Sequence, residues 1–135
     1  MVRPRILVVD DHESVRSLIR DILESEPGWE VCGEAADGEE AIAAATALLP
    51  DIVVMDFMMP KRNGLDATRE IVRAMPQAIV LLVSLYAFPE LSRQAQEAGA
   101  LGCILKPESS QMLVPAIRSL IARRPYSPSA NETPT

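Results

Sequence analysis

The stretch IVVMDFMMP, residues 52–60, holds a single charge in an otherwise apolar run. Ile52, Val53, Val54 and Met55 read as a strand buried on both faces, the form a central strand takes in a parallel sheet covered by helices. Asp56 closes that strand, and Phe57, Met58 and Met59 resume the apolar character. A carboxylate at the end of a buried strand calls for an explanation.

Four comparable runs recur along the chain: RILVVD (5–10), WEVCGEA (29–35), AIVLLVS (78–84) and GCILK (102–106). The second differs, because Glu30 and Glu34 alternate with Trp29, Val31 and Ala35, which suits an edge strand with one face partly wet. Between the runs, Val15, Leu18, Ile19, Ile22 and Leu23 recur at helical spacing. The segment GEEAIAAATALL is rich in helix formers, and Leu65, Thr68, Ile71, Val72 and Met75 continue the pattern. Gly-Ala and Pro-Gly pairs punctuate several helix ends. Five such strand-helix units with tight connections predict a doubly wound α/β domain of flavodoxin-like topology. Right-handed crossovers leave few strand orders, and 2-1-3-4-5 places the edge-like second strand outside.

The 135 residues fit one domain, which buries roughly two-thirds of its unfolded surface without a disulfide or structural metal. A net charge of −6 argues against direct nucleic-acid binding by this chain. Cys32 and Cys103 lack ligand or disulfide spacing and read as buried reduced thiols. The N-terminal segment MVRPRILVVDD meets acid after four consecutive apolar residues, too short for a signal peptide or a membrane span, so a cytoplasmic location is expected. Pro115 falls inside SSQMLVPAIRSLIARR, where it must either kink the last helix or stand in a late first turn. The domain is expected over residues 4–123. The tail 124–135, rich in Pro, Ser and Asn, is expected to be disordered.

Four of the five strands end in groups with chemistry: Asp10 and Asp11, Asp56, Ser84, and Lys106 followed by Pro107. In an open parallel sheet, sites form outside the carboxyl ends of strands. In the order 2-1-3-4-5 these groups converge. Three carboxylates there repel one another, and a divalent cation removes the conflict; hard oxygen ligands suit Mg²⁺. Lys106 adds a point charge and Ser84 a hydroxyl donor. Together they surround Asp56 with what a phosphoryl group needs, and Asp56 becomes the nucleophile that forms an aspartyl phosphate.

Residues 10, 56, 84 and 106 are 46, 28 and 22 apart, and with ILVVDDHESVR, DIVVMDFMMPKRNGLDATREI and EAGALGCILKP they make the chain resemble the receiver domain of bacterial two-component response regulators. The similarity is strongest to the subgroup usually joined to a helix-turn-helix output domain. The resemblance implies that Asp56 takes phosphoryl from the phosphohistidine of a sensor histidine kinase or a histidine phosphotransfer protein. It implies Mg²⁺ bound by Asp11, Asp56 and the Met58 carbonyl, with Asp10 acting through water. Lys106 would pair with the phosphoryl oxygens and Ser84 would swing in to bond one of them. It also implies a cis bond before Pro107, and a loop after Asp56 in which Pro60 and Gly64 match the family, Gly64 supplying a backbone shape other residues resist.

Two positions depart from the family. Cys103 stands where an aromatic residue usually changes rotamer as the hydroxyl residue moves, so Tyr86, or a shift of the fourth helix, is expected to carry the signal instead. Leu85 stands where Ala or Gly is usual, and with Met58 and Tyr86 it is expected to shield the acyl phosphate from water and prolong its life. His12 reads as a solvated side chain. Asp10 and Asp11 are alternatively caps of the first helix, in competition with Ser14.

A phosphatase with an aspartyl nucleophile usually carries a second carboxylate two residues on, where this chain has Met58, so an autonomous enzyme is not expected. A flavin module is disfavoured by the lack of a Ser, Thr and Gly-rich loop after the first strand. The reading is a phosphoacceptor that switches the surface formed by the fourth helix, fifth strand and fifth helix for a protein target or homodimer. It is expected to stand alone and away from membranes. The alternatives are the N-terminal part of a longer DNA-binding regulator, or a phosphorelay intermediate.

Overall fold

The computed structural model describes residues 3–59 and 63–123. Pro60 and the tail 124–135 lie outside the described residues. Strands β1 (Arg5–Val9), β2 (Glu30–Ala35), β3 (Ile52–Asp56), β4 (Ile79–Ser84) and β5 (Gly102–Leu105) alternate with helices α1 (Glu13–Glu24), α2 (Gly38–Leu48), α3 (Gly64–Ala74), α4 (Leu91–Ala98) and α5 (Ser109–Arg123). The strands form one parallel sheet in the order β2-β1-β3-β4-β5, as the patterning predicts.

Strand period two sorts the core into two layers. Ile6, Val8, Ile52, Val54, Ile79, Leu81, Val83 and Ile104 face Ile19 and Leu23 of α1 and Leu113, Ile117 and Leu120 of α5. Leu7, Val9, Val53, Met55, Val80 and Leu82 face Ala41 and Ala45 of α2, Ala67 and Ile71 of α3, and Ala95 of α4. Every residue of β3 and β4 is buried, which is why neither strand alternates. The starts of α2 and α3 are set by polar caps. Asp37 accepts from the Glu40 amide at 2.8 Å while the Glu40 carboxylate accepts from the Ala36 amide at 2.8 Å. Asn63 accepts from the Asp66 amide at 2.9 Å.

Four sequence expectations are revised. The regular alternation of β2 is broken: the register shifts between Ile6↔Val31 and Leu7↔Gly33, leaving Cys32 as an extra residue. Val31 consequently packs with the α1/α5 layer and Ala35 with the other, although both have odd numbers. Leu18 sits at a helical apolar spacing yet is 56% exposed, because Ile19 and Leu23 already fill the contact of α1 with the sheet. Cys32 and Cys103 are free thiols but half-buried rather than buried. Finally, α5 does not start late with Pro115 in its first turn. It begins at Ser109 and runs through the proline, whose side chain faces solvent, so the acceptor one turn back that loses its donor lies on the wet side. Leu113, Ile117 and Leu120 hold the opposite side against the sheet.

Candidate functional site

Parallel register brings the strand ends together. Val9 pairs with Met55, so Asp10 follows beside Asp56. Asp56 pairs with Val83, one residue before Ser84, and Ser84 pairs with Leu105, one residue before Lys106. A cavity of about 450 Å³ at this edge is lined by Asp11, Asp56, Ser84 and Lys106, with Met58, Leu85 and Tyr86 on its apolar rim.

Asp10 is the most deeply placed of the acids, at 1% exposure. Its Oδ1 accepts from the His12 amide at 2.8 Å, and its Oδ2 lies 2.7 Å from Lys106 Nζ. Lys106 Nζ also lies 3.4 Å from Asp56 Oδ1. Both Asp10 oxygens are thus engaged. Asp11 keeps a buried Oδ1 that accepts no hydrogen bond and has His12 Nδ1 3.1 Å away. Burial, followed by the negative charge of Asp10, raises the Asp56 carboxyl to about 6 in spite of Lys106. For Lys106 burial works against the ammonium, but the hydrogen bond to Asp10 and attraction to Asp56 outweigh it and hold its pKa above the usual value. The cluster sets three carboxylates against one ammonium and is short of two positive charges, and its oxygen-rich donors with an orphaned buried oxygen fit a hard divalent cation.

Ser84 is buried, and its hydroxyl donates to the Tyr86 carbonyl at 2.7 Å while the Tyr86 amide donates back at 3.3 Å. Its hydroxyl is therefore engaged with the chain segment 84–86. Met58 and Tyr86 are 68% and 73% exposed, and Leu85 is exposed beside them. Phe57 and Phe88, which sequence reasoning did not single out, also line the cavity and meet with ring centroids 5.7 Å apart. Cys103 lies away from this cavity. It packs against the α2/α3/α4 layer and lines a separate groove of about 340 Å³ with Ala95, Gln96 and Leu101, and burial raises its thiol pKa.

Other expectations change. No peptide bond is cis among the described residues, so the bond before Pro107 is trans. The two isomers of an X-Pro bond differ by only about 0.5–1 kcal/mol, and here Pro107 opens the short 3₁₀ turn Lys106–Glu108. Gly64 is not at positive φ. A Cβ there would meet the Asp56 carbonyl at 2.2 Å, so close approach rather than backbone shape excludes a side chain. His12, not Asp10, Asp11 or Ser14, is the N-cap of α1, and it makes no side-chain cap bond.

Arg16 was also missed. Its Nη1 donates to the Asp10 carbonyl at 2.7 Å and its Nε to Glu34 at 2.8 Å, and Arg20 holds the other Glu34 oxygen at 3.3 Å. The only sequence signal was Glu34 itself, an acid on an edge strand one residue from the run's end.

Residues 6–118 match the response regulator receiver domain family. The chain belongs to that family. The receiver domain is 44% identical over 107 residues to a protein-glutamate methylesterase/protein-glutamine glutaminase of Pyrococcus abyssi, covering 78% of this chain and 29% of the relative. It is 40% identical over 121 residues to the response regulator UvrY of Escherichia coli O157:H7, covering 90% and 56%. The solved structure of a LuxR-family two-component response regulator from Aurantimonas sp. SI85-9A1 is similar at a TM-score of 0.86 and 38% identity, covering 91% of this chain and 88% of that one. The chain spans between about a third and just over half of these two curated relatives. Among the described residues no helix is long and apolar enough to cross a membrane.

Proposed function

We propose that Asp56 of this receiver domain accepts a phosphoryl group from the phosphohistidine of a sensor histidine kinase or histidine phosphotransfer protein, in a Mg²⁺-dependent reaction in the cytoplasm. The observation that carries the reading is the meeting of Lys106 Nζ with Asp10 at 2.7 Å and Asp56 at 3.4 Å in a pocket that also holds Asp11 and Ser84. With a pKa of about 6, Asp56 is mostly ionised at neutral pH. An Asp56 oxygen attacks phosphorus as the P–N bond to the donor imidazole breaks, and the departing ring takes its proton from solvent. Lys106 then exchanges part of its carboxylate contact for the phosphoryl oxygens. Asp11, Asp56 and the Met58 carbonyl would hold the Mg²⁺, with Asp10 behind a water because both its oxygens have partners. The cation supplies neutralisation of charge on the phosphoryl oxygens.

The switch follows from Ser84. To reach a phosphoryl oxygen its hydroxyl must leave the Tyr86 carbonyl, so the β4–α4 segment loses a 2.7 Å bond when the site fills. In this reading Tyr86 transmits the change towards the α4-β5-α5 surface, where Leu101 and Met112 are exposed and Cys103 replaces an aromatic ring. A protein target or a second copy of the chain reads that surface. The receiver acts only on its own phosphoryl group, not on an outside substrate. Membership of a longer DNA-binding regulator, or of a phosphorelay, would use the same Asp56 chemistry. The test is phosphoryl uptake from phosphoramidate and from a phosphorylated histidine kinase, with and without Mg²⁺. Uptake should require Mg²⁺ and vanish in Asp56→Asn; uptake by that variant equal to wild type would reject the assignment.

A further inference from the structure

We infer that His12 is a nitrogen ligand to the divalent ion held by Asp11, so that the acid pocket favours first-row transition ions such as Co²⁺ over Mg²⁺; this rests on the cation-assisted reading above. His12 is 65% exposed, yet its ring is turned to the acids, with Nδ1 3.1 Å from Asp11 Oδ1 and 3.3 Å from Asp10 Oδ1. Asp11 Oδ1 is buried and accepts no hydrogen bond. The same Nδ1 hydrogen-bonds Asp10 Oδ1 and faces Asp11 Oδ1 without bonding it, so an ion entering between ring and carboxylates takes the place of the Nδ1 proton and leaves nitrogen and oxygen as neighbouring ligands. Adjacent ligands about 2.1 Å from a six-coordinate ion lie about 3 Å apart, close to the separation seen here. One ligand atom from each of Asp10, Asp11 and His12 falls within 4.8 Å of the others, and His12 lines the same cavity as Asp56. The ring is launched from a fixed backbone, because the His12 amide donates to Asp10 Oδ1 at 2.8 Å.

Ligand chemistry sets the consequence. Mg²⁺ is hard, takes oxygen ligands and keeps several waters, so an imidazole in place of one water gains it little. Imidazole suits borderline ions, whose affinity rises along the first transition row. His12 thus acts on ion selectivity, which neither Asp11 nor Asp56 provides.

The experiment uses the full chain. Calorimetric titrations with Mg²⁺ and with Co²⁺ are made on wild type, His12→Ala and His12→Asn, and the proton NMR spectrum of the Co²⁺-loaded protein is searched for a hyperfine-shifted, exchangeable imidazole resonance. His12→Ala should lower Co²⁺ affinity at least about tenfold more than Mg²⁺ affinity, the scale on which even outer partners of a metal site act. The shifted resonance should be present in wild type and absent from both variants. Equal loss of the two affinities, no loss of either, or a wild-type spectrum without that resonance overturns the assignment of His12 while leaving Mg²⁺ binding intact. Failure of wild type to bind either ion overturns both this inference and the cation-assisted reading.

Discussion

Asp56 is a carboxyl that folding makes harder to ionise, and this has a measurable sign. Its folded pKa of about 6 lies above the ordinary value of 3.8, so between those values the folded chain holds a proton that the unfolded chain has released. In the metal-free protein, stability therefore falls as pH rises through that window and stays lowered above it. Asp56→Asn removes the penalty and should stabilise the metal-free domain near pH 7 by on the order of 2 kcal/mol, with no gain near pH 4. Urea melts at the two pH values check this, and a variant no more stable than wild type near neutrality would contradict the electrostatic account. Gly64 acts by a different force. Any side chain there presses on the Asp56 carbonyl, so Gly64→Ala should destabilise by about 1–3 kcal/mol, the usual range for overpacking, as read in the same melts. A loss below the resolution of the melt would mean that the α3 start yields without disturbing β3.

At the scale of elements, the connection from β4 to α4 does two things at once. Its first residues bind the Ser84 hydroxyl through the Tyr86 peptide, and its side chains rim the cavity over Asp56 with Met58 and Phe57. An apolar rim excludes the water that hydrolyses an acyl phosphate, so the phosphorylated form is expected to be long-lived. Met58→Asn and Tyr86→Ala should each shorten the phosphoryl lifetime severalfold, followed by loss of radiolabel after the donor is removed; unchanged lifetimes in both would show that the rim does not control water. This scale also shows what a sequence can and cannot display. Continuous apolar runs are visible, so β1, β3 and β4 and their terminal Asp10, Asp56 and Ser84 were legible. A bulge is not, because the extra Cys32 matters only through its partner strand, and it sends Val31 and Ala35 to opposite faces. The strap from Arg16 to the Asp10 carbonyl was equally hidden, since it depends on where α1 lies across the end of β2.

Over the whole molecule, topology does most of the chemical work. The order β2-β1-β3-β4-β5 makes neighbours of strands far apart in sequence, and the register then brings four strand ends to one cavity. Patterning sufficed to read that order because the one strand with exposed acids had to stand at the edge. The start of α5 was harder to read, because Pro115 admits a late first turn that the packing of Leu113, ahead of it, with Ile117 and Leu120 overrides. In the proposed reading, one carboxylate out of several that lie close together, Asp56, carries the reactivity. The most direct test phosphorylates the protein, reduces it with borohydride and locates the modified residue by peptide mass spectrometry. Reduction of an aspartyl phosphate leaves homoserine, and the account predicts homoserine at position 56 alone; modification at Asp10, Asp11 or His12, with Asp56 recovered intact, would contradict it.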